Sequence, residues 1–251
     1  MLRLGNLSVR YGAARVLDGI SASLRPGTFT ALIGPNGSGK SSLLRAVAGL
    51  QVHGGSVALA DQALDNRARG RDIAYMPQDT GATSSLTLLE VVLLGRIRSL
   101  SLSVSRDLID GALSALARFG LNAIQHRTLD QVSGGQRQLV FLAQAMFRSP
   151  KVLLLDEPTS ALDLRHQLIV LEQVRQRVAT DGIIAVAAMH DLTQAASFAD
   201  RILCLSGGRL VGDGTPADVL NADLLRQTYR VRADIHNVGP GILSVVPRSA
   251  I

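Results

Sequence analysis

Thr30 to Leu44 reads TALIGPNGSGKSSLL, and the spacing of its glycines decides how the rest of the chain is understood. Thr30 to Ile33 has the apolar content of a short buried strand; a glycine-rich turn follows, and a helix is expected to begin near Gly39. Gly34, Gly39, Lys40 and Ser41 fit G-x-x-x-x-G-K-[ST], a loop that cradles phosphates. Gly34, Gly37 and Gly39 are expected to turn the backbone so that its N–H groups face one concavity, with no Cβ to obstruct the phosphates. The helix that follows aims its positive end at the same point. Lys40 has the reach for β- and γ-phosphates, and the Ser41 hydroxyl is a ligand for Mg²⁺. The stretch therefore predicts a nucleoside triphosphate site.

Composition narrows the classes around that site. The chain has 251 residues, 47% hydrophobic and 18% charged, enough for one large domain with a substantial core. No apolar run approaches the ~18 residues that a membrane-crossing helix needs. Cys204 is the single cysteine, which precludes an intrachain disulfide and suits the cytoplasm. The net charge of +6 comes from scattered arginines, and aromatics make up only 3%, too few for a base-stacking platform, so no nucleic-acid partner is expected.

In chain order, residues 2–11, 16–24 and 56–60 alternate like half-buried strands and suggest an antiparallel layer beside the phosphate-loop strand. Tyr11 falls where the first of these would end, either as ordinary packing at a strand end or as a ring to stack on a nucleotide base. Asp72 to Met76 reads as a strand stopped by Pro77, which puts Gln78 at a strand's C-terminal end, where ligands bind in open α/β sheets. Helices are expected over Thr87–Arg98, Ser105–Phe119 and Ser133–Phe147, an all-helical block in an α/β core. The run Leu86, Leu88, Leu89, Val91, Val92, Leu93, Leu94 is too apolar for one buried stripe, so residues 85–100 are a candidate docking face, the alternative being that both sides pack inside the subunit. Ser133-Gly134-Gly135-Gln136 opens the last helix with a second anion-binding geometry. Val152 to Leu155 is an apolar strand running into Asp156 and Glu157; beside a phosphate loop, the first acid suits Mg²⁺ and the second suits polarising a water. Ile183 to Met189 is a further buried strand, leading to His190. Arg201–Leu205 and Arg209–Val211 suggest a hairpin, and Pro216 opens a short helix. Residues 231–251 read as a Gly/Pro-punctuated tail.

Taken in this order, the pieces resemble the ATP-binding subunit of an ABC transporter over about residues 1–230. The most specific element is VSGGQ at 132–136, similar to the family's LSGGQ signature, with Val132 in place of the usual Leu. GPNGSGKSS, Gln78, LLLDEPTSALD (153–163) and the MHD containing His190 complete the set. The resemblance implies an α/β fold: a P-loop NTPase (RecA-like) core, an antiparallel β layer and an all-helical subdomain that carries the signature. The expected division is one ABC ATPase domain over 1–230, with catalytic core 1–80 and 150–230, helical subdomain 81–149, and a C-terminal tail at 231–251.

The same resemblance implies roles. Tyr11 would stack on adenine, while Gly34, Pro35, Asn36, Gly37, Ser38, Gly39, Lys40, Ser41 and Ser42 would wrap the phosphates. Mg²⁺ would be held by Ser41, Gln78 and Asp156, the last through water. Glu157 would be the general base, His190 would contact the γ-phosphate, and Lys40 and Gln78 would assist. Ser133, Gly134, Gly135 and Gln136 would complete the ATP site of a second copy, with Asp163 linking the two sites. The implied assembly is a head-to-tail homodimer at the cytoplasmic face of the membrane, bound to permease subunits that receive cargo from an external substrate-binding protein. EVVLLGR (90–96), ALDLRHQLIVLE (161–172) and the stretch from His190 to Pro216 look like the importers of ferric siderophores, haem and cobalamin, His166-Gln167 being the most telling pair. Importers of oxyanions such as molybdate, and soluble non-transport ABC ATPases, are the alternatives.

Overall fold

The computed structural model describes residues 1–78, 84–96, 104–239 and 242–251. Strands β1 (Leu2–Tyr11), β2 (Ala14–Leu24), β4 (Gly54–Leu59) and β5 (Gln62–Ala63) form an antiparallel sheet in the order β2-β1-β4-β5. Its alternation is the cause: Leu2, Leu4, Leu7 and Val9 are buried, and the residues between them face outward or sit at the margin. A second sheet holds β3 (Thr28–Ile33), β6 (Ile73–Met76), β7 (Val152–Asp156), β8 (Ile184–Ala188), β9 (Arg201–Ser206) and β10 (Arg209–Gly214), ordered β10-β9-β3-β8-β7-β6. All neighbours in it are parallel except the β9–β10 hairpin.

The central strands read as unbroken apolar runs because both of their faces are covered. Leu32, Leu154, Val186 and Leu203 pack with Leu43, Leu44 and Val47 of α1 (Lys40–Ala48) and with the antiparallel sheet. Phe29, Ala31, Ile33, Leu153, Leu155 and Ala187 point the other way, into a core shared with α5 (Gly134–Phe147) and α6 (Leu164–Asp181).

Among the described residues between β6 and β7 are three capped α-helices, α3 (Leu88–Leu94), α4 (Arg106–Ala117) and α5. Thr87 and Ser133 cap α3 and α5 with reciprocal bonds from Glu90 and Gln136, and Ser105 caps α4. Helix α3 stops short of the expected Arg98. Its chain turns at Gly95, where an added Cβ would lie 2.7 Å from the carbonyl oxygen of Gln144. Ile97 and Arg98 are outside the described residues. The expected apolar docking face is also reduced, because Leu88, Val91, Val92 and Leu93 are buried against α4 and α5. Of that run, Leu86 and Leu94 reach the surface, at 36% and 38% exposure.

Among the described residues, four α-helices were not anticipated as elements: α2 (Asn66–Asp72), α6, α7 (Leu192–Phe198) and α9 (Ala222–Tyr229). Asp72, expected to open a strand, instead closes α2, its carboxylate buried between Arg71 and Lys151. The short α8 (Pro216–Val219) starts at Pro216 as expected. The stretch read as a tail pairs into a hairpin of β11 (Val231–Gly239) and β12 (Ile242–Ala250). The Val245 amide bonds Thr193 Oγ1 on α7 at 3.1 Å, so the hairpin is docked rather than trailing. Pro240 and Gly241, whose types suggested the punctuation, lie outside the described residues.

Phe29 is fully buried in β3 beside the site-bearing strands. Phe29→Ala should cost about 3–5 kcal/mol. Urea titration should show a lower midpoint with an unchanged slope.

Candidate active site at the phosphate loop

Because β3, β6, β7 and β8 run parallel, their C-terminal ends share one edge of the sheet. The phosphate loop leaves β3, Gln78 follows β6, Asp156 closes β7 with Glu157 next, and His190 follows β8. A cleft of about 610 Å³ opens there, lined by Tyr11, Val16, Asn36, Gly37, Gly39, Lys40, Ser41, Ser42, Gln78, Glu157 and His190.

Gly34, Gly37 and Gly39 have φ of 145°, 77° and 103°, a region that suits glycine. At two of the three the structure adds a reason from the protein's own atoms. A Cβ on Gly34 would fall 2.2 Å from the Leu205 carbonyl oxygen, and one on Gly39 would fall 2.5 Å from Leu17 Cδ2. The obstruction is therefore with the protein's own atoms. At Gly37 no protein atom lies within 4 Å of the added Cβ, and the backbone conformation itself favours glycine. Lys40 is buried, and its Nζ donates to the carbonyls of Gly34 (2.7 Å) and Pro35 (3.2 Å). Pro35 O also accepts from the amide of Ser38, which is buried. Burial lowers the Lys40 pKa, and the nearby charges of Glu157 and Asp156 oppose that shift. A buried cation whose hydrogen bonds go to carbonyls rather than a carboxylate is well placed to receive an anion. Tyr11 stands at the end of β1, its hydroxyl 3.4 Å from Ser42 Oγ, and is an exposed residue lining the cleft.

Asp156 is buried at the end of β7. Ser41 Oγ donates to its Oδ1 at 3.0 Å and the Tyr75 hydroxyl to its Oδ2 at 3.2 Å, while Arg45 Nε donates to Tyr75 at 3.4 Å. Burial raises the Asp156 pKa against the lowering effect of those two hydroxyls. Ser41 and Asp156 thus offer a hydroxyl and a carboxylate side by side, the hard oxygen set that Mg²⁺ takes.

Glu157 adopts φ 51°, uncommon for a non-glycine residue. Its amide bonds Ala188 O at 3.2 Å, and its carbonyl accepts from Gln138 Nε2 at 2.9 Å. Both carboxylate oxygens are engaged, Oε2 by Gln78 Nε2 at 2.6 Å and Oε1 by His190 Nε2. Sequence reasoning missed Tyr75, Gln138 and Val16. The position of Gln138, two residues beyond the SGGQ run, gives no sign of its burial or of its bond to Glu157.

The signature residues are not among those lining this cleft. Ser133 caps α5, and Gln136 reaches back to the Ser133 amide. Gly135 packs on the turn after Glu157, where an added Cβ would be 3.0 Å from Ala161 O. Asp163 caps α6, accepting from the His166 amide and contacting His166 Nδ1, both at 2.8 Å; those bonds lower its pKa. Within one chain, the loop and the signature form two separate surfaces.

The sequence profile of the ABC transporter family matches residues 17–160. This chain is a member of the ABC transporter family. The cobalamin import ATP-binding protein BtuD of Halobacterium salinarum is 36% identical over 254 residues, covering 98% of this chain. The chain spans 63% of that relative's length. The hemin import ATP-binding proteins HmuV of Bradyrhizobium diazoefficiens and Rhodococcus jostii are 36% and 38% identical, over 97% and 98% of this chain and 93% and 86% of theirs. A metal-chelate type ABC transporter in an inward-facing conformation superposes with TM-score 0.85 at 26% identity, over 99% of this chain and 97% of that one. A dimeric ATP-binding cassette with ADP and Pi, in a post-hydrolysis state, gives 0.78 at 26% identity over 86% and 99%.

The raised Asp156 pKa has a defined sign. Between its unfolded value near 3.8 and the higher folded one, the folded chain retains a proton that the unfolded chain has lost. Stability of the ligand-free protein therefore falls as pH rises through that window. Asp156→Asn should raise the ligand-free melting temperature at pH 7. It should also abolish the extra thermal stabilisation that Mg²⁺ adds to ATP. A lower ligand-free melting temperature would show that the Ser41 and Tyr75 bonds outweigh the cost of burial.

Proposed function

We propose that this member of the ABC transporter family is the ATP-hydrolysing subunit that powers import of a metal chelate (ferric siderophore, haem or cobalamin) through a separate membrane permease. The observation that carries the enzymatic half is the Glu157 carboxylate, held by Gln78 and His190 at the mouth of the cleft over Lys40 and Ser41. The cargo half rests on the likeness to proteins named for hemin and cobalamin import.

In this reading Tyr11 stacks on adenine. Residues Gly34 to Ser42 wrap the phosphates with backbone N–H groups, and Lys40 exchanges its carbonyl partners for β- and γ-phosphate oxygens. Ser41, Gln78 and Asp156 are the residues that would hold Mg²⁺, Asp156 through water; bound there, the ion neutralises charge on the phosphate oxygens. Glu157 takes the proton of the attacking water, and His190 and Gln78 orient Glu157 before the γ-phosphate arrives. His190 then contacts the γ-phosphate.

The cleft has no lining from Ser133 or Gly135, which supports a head-to-tail pair in which a second copy supplies them. The γ-phosphate then bridges the two copies, and hydrolysis removes the contact that closed them. Residues 81–149 act as a subdomain carrying the signature, and the exposed Leu86 and Leu94 belong to the face that meets the permease. Among the described residues no helix is long and apolar enough to cross a membrane, which agrees with a subunit held at the cytoplasmic face by its permease.

Glu157→Gln should bind ATP normally, lose at least ~10²-fold in turnover and accumulate as an ATP-bound dimer on size-exclusion chromatography. Turnover at the wild-type rate would remove Glu157 from the role of base. For the cargo, the complex co-purified with its permease should be stimulated by a binding protein loaded with haem, cobalamin or a ferric siderophore. Stimulation by a molybdate-loaded one instead would move the chain to the oxyanion importers.

A further inference from the structure

Gln167, half of the His166-Gln167 pair, has no part in the chemistry above, yet its side chain is fully engaged. Its Nε2 donates to the carbonyls of Leu162 (3.0 Å) and Thr159 (3.3 Å). Its Oε1 accepts from Gln194 Nε2 at 2.7 Å. Gln167 sits one helical turn after Asp163, and helix geometry tilts its side chain back toward the N-terminus, over the turn that delivers Asp163. Gln194 lies in the first turn of α7, immediately after His190 and Asp191, with its amide capped by Asp191 Oδ1 at 2.9 Å.

Helix α7 is itself anchored at the neighbouring residue, because the C-terminal hairpin bonds Thr193 through the Val245 amide. The turn at 158–163 is less well supported. Ser160 and Ala161 are exposed, and the turn's own bonds are local ones from Ser160 to Glu157 O and from Leu162 to Thr159 O. Two loops that each place a group in the site are thus joined twice, once by Glu157 with His190 and again by Gln167 with Gln194.

We infer that Gln167 and Gln194 are positioning residues forming a strap, which makes the 158–163 turn and the His190 loop move as one body. Through it, the position of Asp163 against a second copy sets the alignment of Glu157 and His190. The inference rests on the reading of Glu157 as base and Asp163 as the link between sites. Only an amide serves at position 167: it gives donors to two carbonyls and an acceptor to a third group, whereas a glutamate would turn acceptors on acceptors.

The test is steady-state ATP hydrolysis by the full chain carrying Gln167→Met, Gln194→Met or both, with wild type and Glu157→Gln measured alongside. The strap predicts a kcat lower by roughly 3- to 30-fold, with KM for ATP within about twofold and the Hill coefficient for ATP falling toward one. The double variant should be no slower than the slower single, since both side chains serve one link. If Gln167→Met fails to fold, Gln194→Met carries the same test from the other side of the bond. An active wild type beside an inert Glu157→Gln upholds the underlying reading. Strap variants that then match wild type in kcat and Hill coefficient, or losses that multiply independently, overturn the strap alone. A Glu157→Gln variant that turns over normally overturns the base, and the strap with it.

Discussion

Strands β3, β7 and β8 bury their backbones on both faces, and much of the molecule follows from that constraint. A parallel sheet offers no hairpin returns, so each strand needs a crossover, and the crossovers must supply apolar cover above and below. Helix α1 and the antiparallel layer provide one cover, with α5, α6 and α7 the other. Loops cannot be buried in either core without orphaning their polar groups, so they collect at the strand ends. The active-site edge is where four of them meet.

That edge holds two charges at some expense in stability. Lys40 is buried on backbone carbonyls and Asp156 on two hydroxyls, and burial shifts each toward its neutral form. Glu157 adds a left-handed backbone conformation. Such concentrated cost is common where a protein is arranged for a ligand's charges rather than for its own stability.

The phosphate loop, the strand-end acids and SGGQ could be read from sequence because their chemistry is local: backbone conformation and a few adjacent side chains specify them. Gly34 and Gly39 show the limit of that reading. Their need for glycine was foreseen, but the clashing atoms, on Leu205 and Leu17, come from strands far along the chain. Helix α2 escaped notice because it is polar, contains Gly70 and is secured by an Asp65 cap and by the buried Arg69 bonding Ala46 O rather than by an apolar stripe. Helix α6 did carry signals, with an Asp163 cap, Val170, Leu171, Val174 and Val178 at helical spacing, and Gly182 in the left-handed region at its end. Tyr75 reaches Asp156 across 81 positions and Gln138 reaches Glu157 across 19, and no spacing rule links them. The tail's pairing was hidden for a similar reason: α7 packs against β12 and α9 against β11, and the sequence does not reveal the positions of those helices.

Gln138 gives helix α5 two employers. Its N-terminal end, in the proposed pair, faces the partner's nucleotide, while Gln138 one turn later grips the carbonyl of the chain's own Glu157. A helix is stiff over so short a span, so a tug at its tip should be felt at its second turn. In the proposed pair each copy would then sense its neighbour's ATP through the same rod that steadies its own Glu157, beside the link through Asp163.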